Sequence, residues 1–272
     1  VKRVVSKLIY NTSSLSIFRK FIFSKTKSFY RSLTAQKRAL PDFIIAGAAK
    51  AGTTSLFRFL GEHPGVMPAF KKEIKFFNLN YSKGLDWYRC FFPIRSSNSF
   101  LTCEATPTYF FDNRVPQRIN ECLPGVKIII LIRDPIKRAI SHFHFNQKIK
   151  VEKIESFEEF IGKLRNGSHH DLHRYLENGL YFDKVKLWIE VFGPKQMLII
   201  KSEDFQENTR SEMKKIYQFL RIEEIYPESL KPFNVGRYNE IRNKDILKYL
   251  DEYFANDNRK LVELLGDKFR YI

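Results

Sequence analysis

Two groups of residues in this chain have the types and spacing to hold an anion. The first is Ala46-Gly47-Ala48-Ala49-Lys50-Ala51-Gly52-Thr53-Thr54-Ser55. An apolar run, Phe43–Ala46, leads into it and a helical pattern over Thr53–Leu60 leaves it. Small residues let backbone amides approach a ligand closely. A helix starting near Thr53 aims free N–H groups and a partial positive charge at the same point. Lys50 adds a full charge, Thr53 and Thr54 add hydroxyl donors, and Ala51, Gly52 and Ser55 complete the cradle. The second group follows the apolar stretch Val126–Ile132. It runs Arg133-Asp134-Pro135 and, two turns into the next helical pattern, Ser141. Arg133 offers a bidentate fork suited to phosphate, at a strand end where α/β folds bind ligands. If the helix folds back along the strand end, Arg133 and Ser141 can share one phosphate.

The elements needed to position these groups are legible in the alternation of short apolar runs with helical periods. Expected strands are Phe43–Ala46, Phe100–Cys103, Lys127–Ile132 and Met197–Lys201. Expected helices are Thr53–Leu60, Ile136–Asn146, Phe157–Leu164, Tyr181–Phe192, Thr209–Leu220 and Leu247–Phe254. Val126–Ile132 is apolar on both faces apart from Lys127, as a central parallel strand should be. The pattern predicts an α/β fold with a central parallel sheet flanked by helices.

The first loop is not a Walker loop. Gly47 and Gly52 have the Walker separation, but Thr53 stands where the lysine belongs and Lys50 lies inside the loop. No acidic metal ligand of the Walker type follows an apolar strand. Taken from the lysine onward, Lys50-Ala51-Gly52-Thr53-Thr54 resembles the P-K-x-G-T-T loop of sulfotransferases that use 3′-phosphoadenosine 5′-phosphosulfate (PAPS), with Ala49 in place of the proline. The composite L-I-R-D-P-x-x-R-A-x-S ending at Ser141 resembles that family's 3′-phosphate motif. Lys71-Lys72-Glu73-Ile74-Lys75-Phe76-Phe77, the stretch from Lys83 to Pro93, Glu104-Ala105-Thr106-Pro107-Thr108-Tyr109 and Gly179-Leu180-Tyr181 resemble segments of its heparan-sulfate-type and related bacterial carbohydrate members.

The resemblance covers the chain from about Pro41 onward and implies a P-loop-like fold of the sulfotransferase type. It implies PAPS as sulfuryl donor, no required metal, and a hydroxyl or amine of a carbohydrate-like molecule as acceptor. Residues Lys50 to Ser55 would hold the 5′-phosphosulfate, and Arg133 and Ser141 the 3′-phosphate. Glu73 would be the acceptor's base, since a sugar hydroxyl is a poor nucleophile without a proton acceptor in reach. Lys50 would stabilise the leaving group. Lys72 and Lys75 either hold substrate anions or stay solvated. Gly236 and Arg237, in Phe233-Asn234-Val235-Gly236-Arg237-Tyr238, resemble the loop that closes over the nucleotide. Two departures limit the transfer of acceptor specificity. Ala105 stands where some members carry a catalytic lysine, and Lys75 where some carry a histidine. Glu104 is read as a buttress of the adjacent turn, and His142 and His144 as lining the cleft or packing.

The chain has 272 residues, 43% hydrophobic with 26 Phe, which supports a substantial core. Its +17 charge points to anionic ligands, but residues 1–40 carry ten Lys or Arg and no acid, leaving +7 on the rest. The reading therefore divides the chain into a basic leader, 1–40, and one domain, 41–272, with no nucleic-acid partner. The leader is a solvated tail or attaches to a membrane surface. No apolar run reaches the ~18 residues of a membrane-spanning helix, so the expected location is cytoplasmic, possible membrane association and a lost N-terminal anchor being left open. Cys90, Cys103 and Cys122 form no CxxC pair, and His169, His170 and His173 lack the partners of a metal site. Rival readings are a P-loop kinase or NTPase and a non-enzymatic polyanion- or membrane-binding module.

Overall fold

The computed structural model describes residues 29–95, 100–167, 174–231, 233 and 241–271. Residues 1–28 of the leader, the three clustered histidines, Gly236 and Arg237 lie outside the described residues. Four parallel strands form one sheet in the order β2-β1-β3-β4. They are β1, Phe43–Gly47, β2, Cys103–Ala105, β3, Lys127–Ile132, and β4, Met197–Lys201. In β3 all residues but Lys127 are buried, because helices cover both faces of the sheet. The strand order changes direction beside β1 and β3, so the carboxyl ends of these two strands open a crevice.

The strand expected at Phe100–Cys103 lies instead at Cys103–Ala105. Its register is set by β1, where Phe43 faces Cys103 and Ile45 faces Ala105. An acid, Glu104, sits in the middle of the strand, so the apolar pattern ends where the strand begins. Helices Thr53–Gly61, Pro135–Lys148, Phe157–Arg165 and Thr209–Leu220 follow the expected periods closely. The helix at Phe182–Gln196 is interrupted at Gly193, whose φ is 66°, just past the expected end. Near the C-terminus, the expected Leu247–Phe254 extends to Lys244–Leu265. Its polar residues Asp257 and Asn258 disguise the helix because they serve tertiary contacts. Asp257 accepts the amides of Tyr181 and Phe182, and Asn258 donates to the Phe269 carbonyl. Short helices at Gly84–Arg89, Val115–Cys122 and Ser202–Glu207 carry periods too brief to read from sequence.

Two buried clusters hold the site in place. One surrounds the sheet. The other, with Ala139, Phe143, Phe160, Leu176 and Phe254, grips the inner face of the Pro135–Lys148 helix, on which Ser141 is also buried. All three cysteines are free. Among the described residues no helix is long and apolar enough to cross a membrane.

Candidate active site

The loop after β1 turns through left-handed backbone at Lys50, φ 74°, and Gly52, φ 96°. Gly52 precedes the first turn of the Thr53–Gly61 helix, where no side chain caps the free amides. Thr53 is buried and Thr54 half-buried in this first turn. Gly47 is required for a different reason: a Cβ there would lie 2.3 Å from Cβ of Phe110, against the turn Pro107–Phe111. Ala51 is fully buried under the loop. Ser55 is buried as well, and its Oγ accepts the Phe233 amide at 2.8 Å. That bond anchors the described end of the segment leading to Gly236 and Arg237 beside the cradle.

The second grip reaches the first. Arg133 Nη1 donates to the Lys50 carbonyl at 3.0 Å, across the ends of β3 and β1. Asp134 caps the following helix, accepting the amides of Ile136 and Lys137 at 2.9 Å each. Pro135 occupies the first turn, where its missing N–H costs nothing. Ser141 lies nearly two turns along, buried on the inner face of this helix. Arg133 stands at the end of β3 and Ser141 on the helix that follows it.

Glu73 arrives by a route that the sequence does not spell out. Residues 66–73 run beside β2, on the outer edge of the sheet and parallel to it. Val66 bridges Leu101, the Ala69 amide donates to Cys103, and the Glu73 amide donates to Ala105 at 2.9 Å. The carboxyl end of β2 thus delivers Glu73 to the same end of the sheet as Lys50 and Arg133. Glu73 and Lys75 both adopt left-handed backbone, φ 60° and 57°. Lys72 Nζ lies 3.3 Å and Lys75 Nζ 4.0 Å from the Glu73 carboxylate, which is 43% exposed.

Charge is unbalanced here. Burial, then the neighbouring positive charges of Arg133 and Lys72, lower the Lys50 ammonium to about 8, with Glu73 acting in the opposite sense. Lys50 Nζ also sits 4.0 Å from the centre of the Phe145 ring, an electrostatic contact that holds the side chain against the Pro135–Lys148 helix. His142 is pushed down to about 4 by burial and by the charges of Arg138 and Lys50. It packs edge-on against Tyr175 and is neutral at pH 7, which makes it a packing residue beside the cleft.

Two features escaped the sequence. Arg138 is fully buried, yet only its Nη2 is bonded, to the Tyr175 carbonyl, while Nε and Nη1 have no partner. Its position inside the Arg133–Ser141 composite was the available signal. The other is the surroundings of Glu104. This fully buried carboxylate accepts hydroxyl hydrogens from Tyr88 at 2.5 Å, Thr106 at 2.7 Å and Tyr109 at 2.9 Å. With their hydrogens committed, Tyr109 accepts the amides of Phe76 and Phe77, and Thr106 accepts the amide of Lys75. Glu104 thereby braces the turn carrying Glu73 and Lys75.

A parallel sheet that gathers a phosphate-type loop, an arginine and an approachable carboxylate at its strand ends defines a P-loop-like transferase domain. The sequence model for the sulfotransferase domain matches residues 40–259, and the chain belongs to that family. It is 30% identical to mouse heparan sulfate glucosamine 3-O-sulfotransferase 3B1 over 86% of this chain and 66% of that protein. It is 28% identical to the membrane-associated sulfotransferase kil1 of Dictyostelium discoideum, over 85% of this chain and 66% of that one. The chain thus spans about 66% of the length of these two relatives. A sulfotransferase crystal structure from Alicyclobacillus acidocaldarius superposes with a TM-score of 0.69 at 28% identity, over 84% of this chain and 96% of that one. The kinase or NTPase reading and the non-enzymatic module find no support in these matches.

Proposed function

We propose that the chain moves a sulfuryl group from PAPS to a hydroxyl or amine of a carbohydrate acceptor. The observation that carries this reading is the meeting of Lys50, Arg133 and Glu73 at one end of the sheet. The mouse relative's name, with its glucosamine acceptor, supports the carbohydrate class. Residues here also fit a multiply charged donor. Lys50, Arg133 and Lys72 crowd one another with Glu73 as the opposing charge. Arg138 holds two buried donors in reserve close by.

The donor, when bound, supplies a sulfuryl group activated by its bond to phosphate. Amides from Ala51 to Ser55, with Lys50 and the Thr53 and Thr54 hydroxyls, hold its 5′ end. Arg133 and Ser141 hold the 3′-phosphate, and Gly236 and Arg237 add a donor contact. Glu73 takes the acceptor's proton as the acceptor oxygen or nitrogen bonds to sulfur. Lys50 sets positive charge where the departing phosphate oxygen gathers negative charge. Lys72 and Lys75 set positive charge beside the Glu73 carboxylate and steer acceptor anions. Most of the rate enhancement then comes from positioning and electrostatics, with no metal required. The leader, residues 1–40, attaches the protein to anionic membrane surfaces, a reading supported by its charge and by the name of the Dictyostelium relative.

Two grips on two phosphates imply nucleotide discrimination. The desulfated product, 3′-phosphoadenosine 5′-phosphate (PAP), at a hundredfold excess over its Kd contributes about 2.7 kcal/mol. Differential scanning fluorimetry should register this as a rise of roughly 5–10 °C. ATP, which lacks the 3′-phosphate, should give a much smaller rise, and Arg133→Ala should remove most of the difference. Equal shifts with both nucleotides in the native protein would exclude the two-grip arrangement.

Lys50 adds a pH dependence. In the free protein its ammonium loses its proton near pH 8, and seating an anion favours the charged form. Calorimetric titration should give a PAP affinity that is flat below that pH. Above it, affinity should fall by up to about tenfold per pH unit as binding comes to require proton uptake. Lys50→Arg should flatten the profile up to pH 9.5. A native profile that is already flat to pH 9.5 would show that Lys50 does not face the bound phosphate.

A further inference from the structure

The sheet edge that carries Glu73 also carries an uncovered apolar surface. Residues 29–33 are helical, and Phe29 and Leu33, one turn apart, are 65% and 70% exposed. Arg31, between them, turns inward: its Nη1 donates to the Cys90 carbonyl at 2.7 Å, and its guanidinium lies 4.2 Å from the centre of the Phe70 ring. Phe70 also stacks on Phe91 at 5.3 Å yet is 58% exposed, and Met67 on the same edge segment is 45% exposed. Arg31 thus ties the helical turn that carries Phe29 and Leu33 to the edge segment that carries Met67 and Phe70.

It is firmly built. Arg38 Nη1 donates to Phe92, Arg89 Nη1 donates back to the Arg38 carbonyl, Gln36 bonds Asp86, and the Ala39 amide donates to Pro93. Exposed Lys37 and Lys71 stand at its margins. The 28 residues that enter it at Phe29 add seven Lys or Arg and no acid. Apolar side chains flanked by two exposed lysines, at the end of a polybasic segment without acids, are complementary to anionic lipid headgroups over acyl chains.

We propose that Phe29, Leu33, Met67 and Phe70 form a face by which the folded domain docks edge-on to an anionic bilayer. This deepens the membrane reading of the leader by adding an apolar contact of fixed orientation. Phe70 and Glu73 lie three positions apart on the same edge segment, joined by the bends at residues 70–72.

The test uses the full chain and vesicles of phosphatidylcholine with or without 30% phosphatidylserine, by cosedimentation at low and at 0.5 M salt. Leu33→Ser/Met67→Ser/Phe70→Ser should lower partitioning onto the anionic vesicles about tenfold or more, chiefly at high salt, where screening removes the leader's attraction. An unchanged, cooperative thermal transition of the triple variant certifies its fold. Unaltered partitioning, with binding lost only when the seven lysines and arginines of residues 1–28 are replaced, would overturn the docking face and leave the leader reading intact. Self-association or partner binding abolished by the same three substitutions, without any vesicle binding by the native protein, would assign the face to protein and overturn it too. Neither result touches sulfuryl transfer, which is measured separately with soluble acceptors.

Discussion

Glu73→Gln should lower turnover by roughly 10²-fold or more, the usual contribution of a general base, while leaving PAP affinity nearly unchanged. The substitution keeps the shape and the backbone bond to Ala105 but removes the basic oxygen. It also removes the negative charge between Lys72 and Lys75, which tends to strengthen donor binding slightly. Steady-state kinetics with calorimetry on the same preparation separates the two effects. Near-normal turnover would move the base elsewhere. Loss of PAP binding would make Glu73 a structural residue. Its left-handed backbone gives the second outcome a concrete meaning, since a strained turn can collapse when its side chain changes.

The second large effect concerns Glu104. Glu104→Ala strands three fully buried hydroxyls, on Tyr88, Thr106 and Tyr109. Each unpaired group costs about 1–3 kcal/mol, so the protein should lose about 3–5 kcal/mol of stability in chemical denaturation. Glu104→Gln is the milder probe. Its amide nitrogen cannot accept, so one hydroxyl must turn away and its hold on the Lys75–Phe77 amides weakens. Turnover should drop about tenfold with PAP affinity unchanged. Burial raises the Glu104 carboxyl to about 6, against three hydrogen bonds that lower it. Because the folded value lies above the unfolded one, this group contributes most stability below about pH 4 and loses it as pH rises through 6. Acidification from pH 7 to 5.5 should therefore loosen the acceptor turn without unfolding the protein through this residue. Native turnover from Glu104→Gln would show that the turn needs no such brace.

The contrast between these two glutamates marks what the sequence could express. Lys50, Thr53 and Thr54 were legible because a small-residue loop between an apolar run and a helix is a local pattern. Strands β3 and β4 were read to the residue because each is an uninterrupted apolar run; β3 is buried on both faces, while β4, at the sheet edge, is only half-buried at Leu198, Ile199 and Lys201. The Glu104 network was not legible: its partners lie 16, 2 and 5 residues away along the chain and on separate elements. The same acid displaced the reading of β2. Arg138 stood in a recognised motif, but its burial arises only when Tyr175 and Tyr181 fold over it. Likewise, the path of residues 66–73 along β2 is a pairing choice that no periodicity announces.

Sulfuryl transfer itself is tested most directly by incubating the full chain with PAPS labelled in its sulfuryl group and a panel of soluble saccharides, in EDTA. The account predicts label on a saccharide hydroxyl or amine, formed together with one equivalent of PAP and reduced at least about a hundredfold by Glu73→Gln. Label confined to the donor across the panel, together with Mg²⁺-dependent phosphate transfer from ATP by the same preparation, would contradict it.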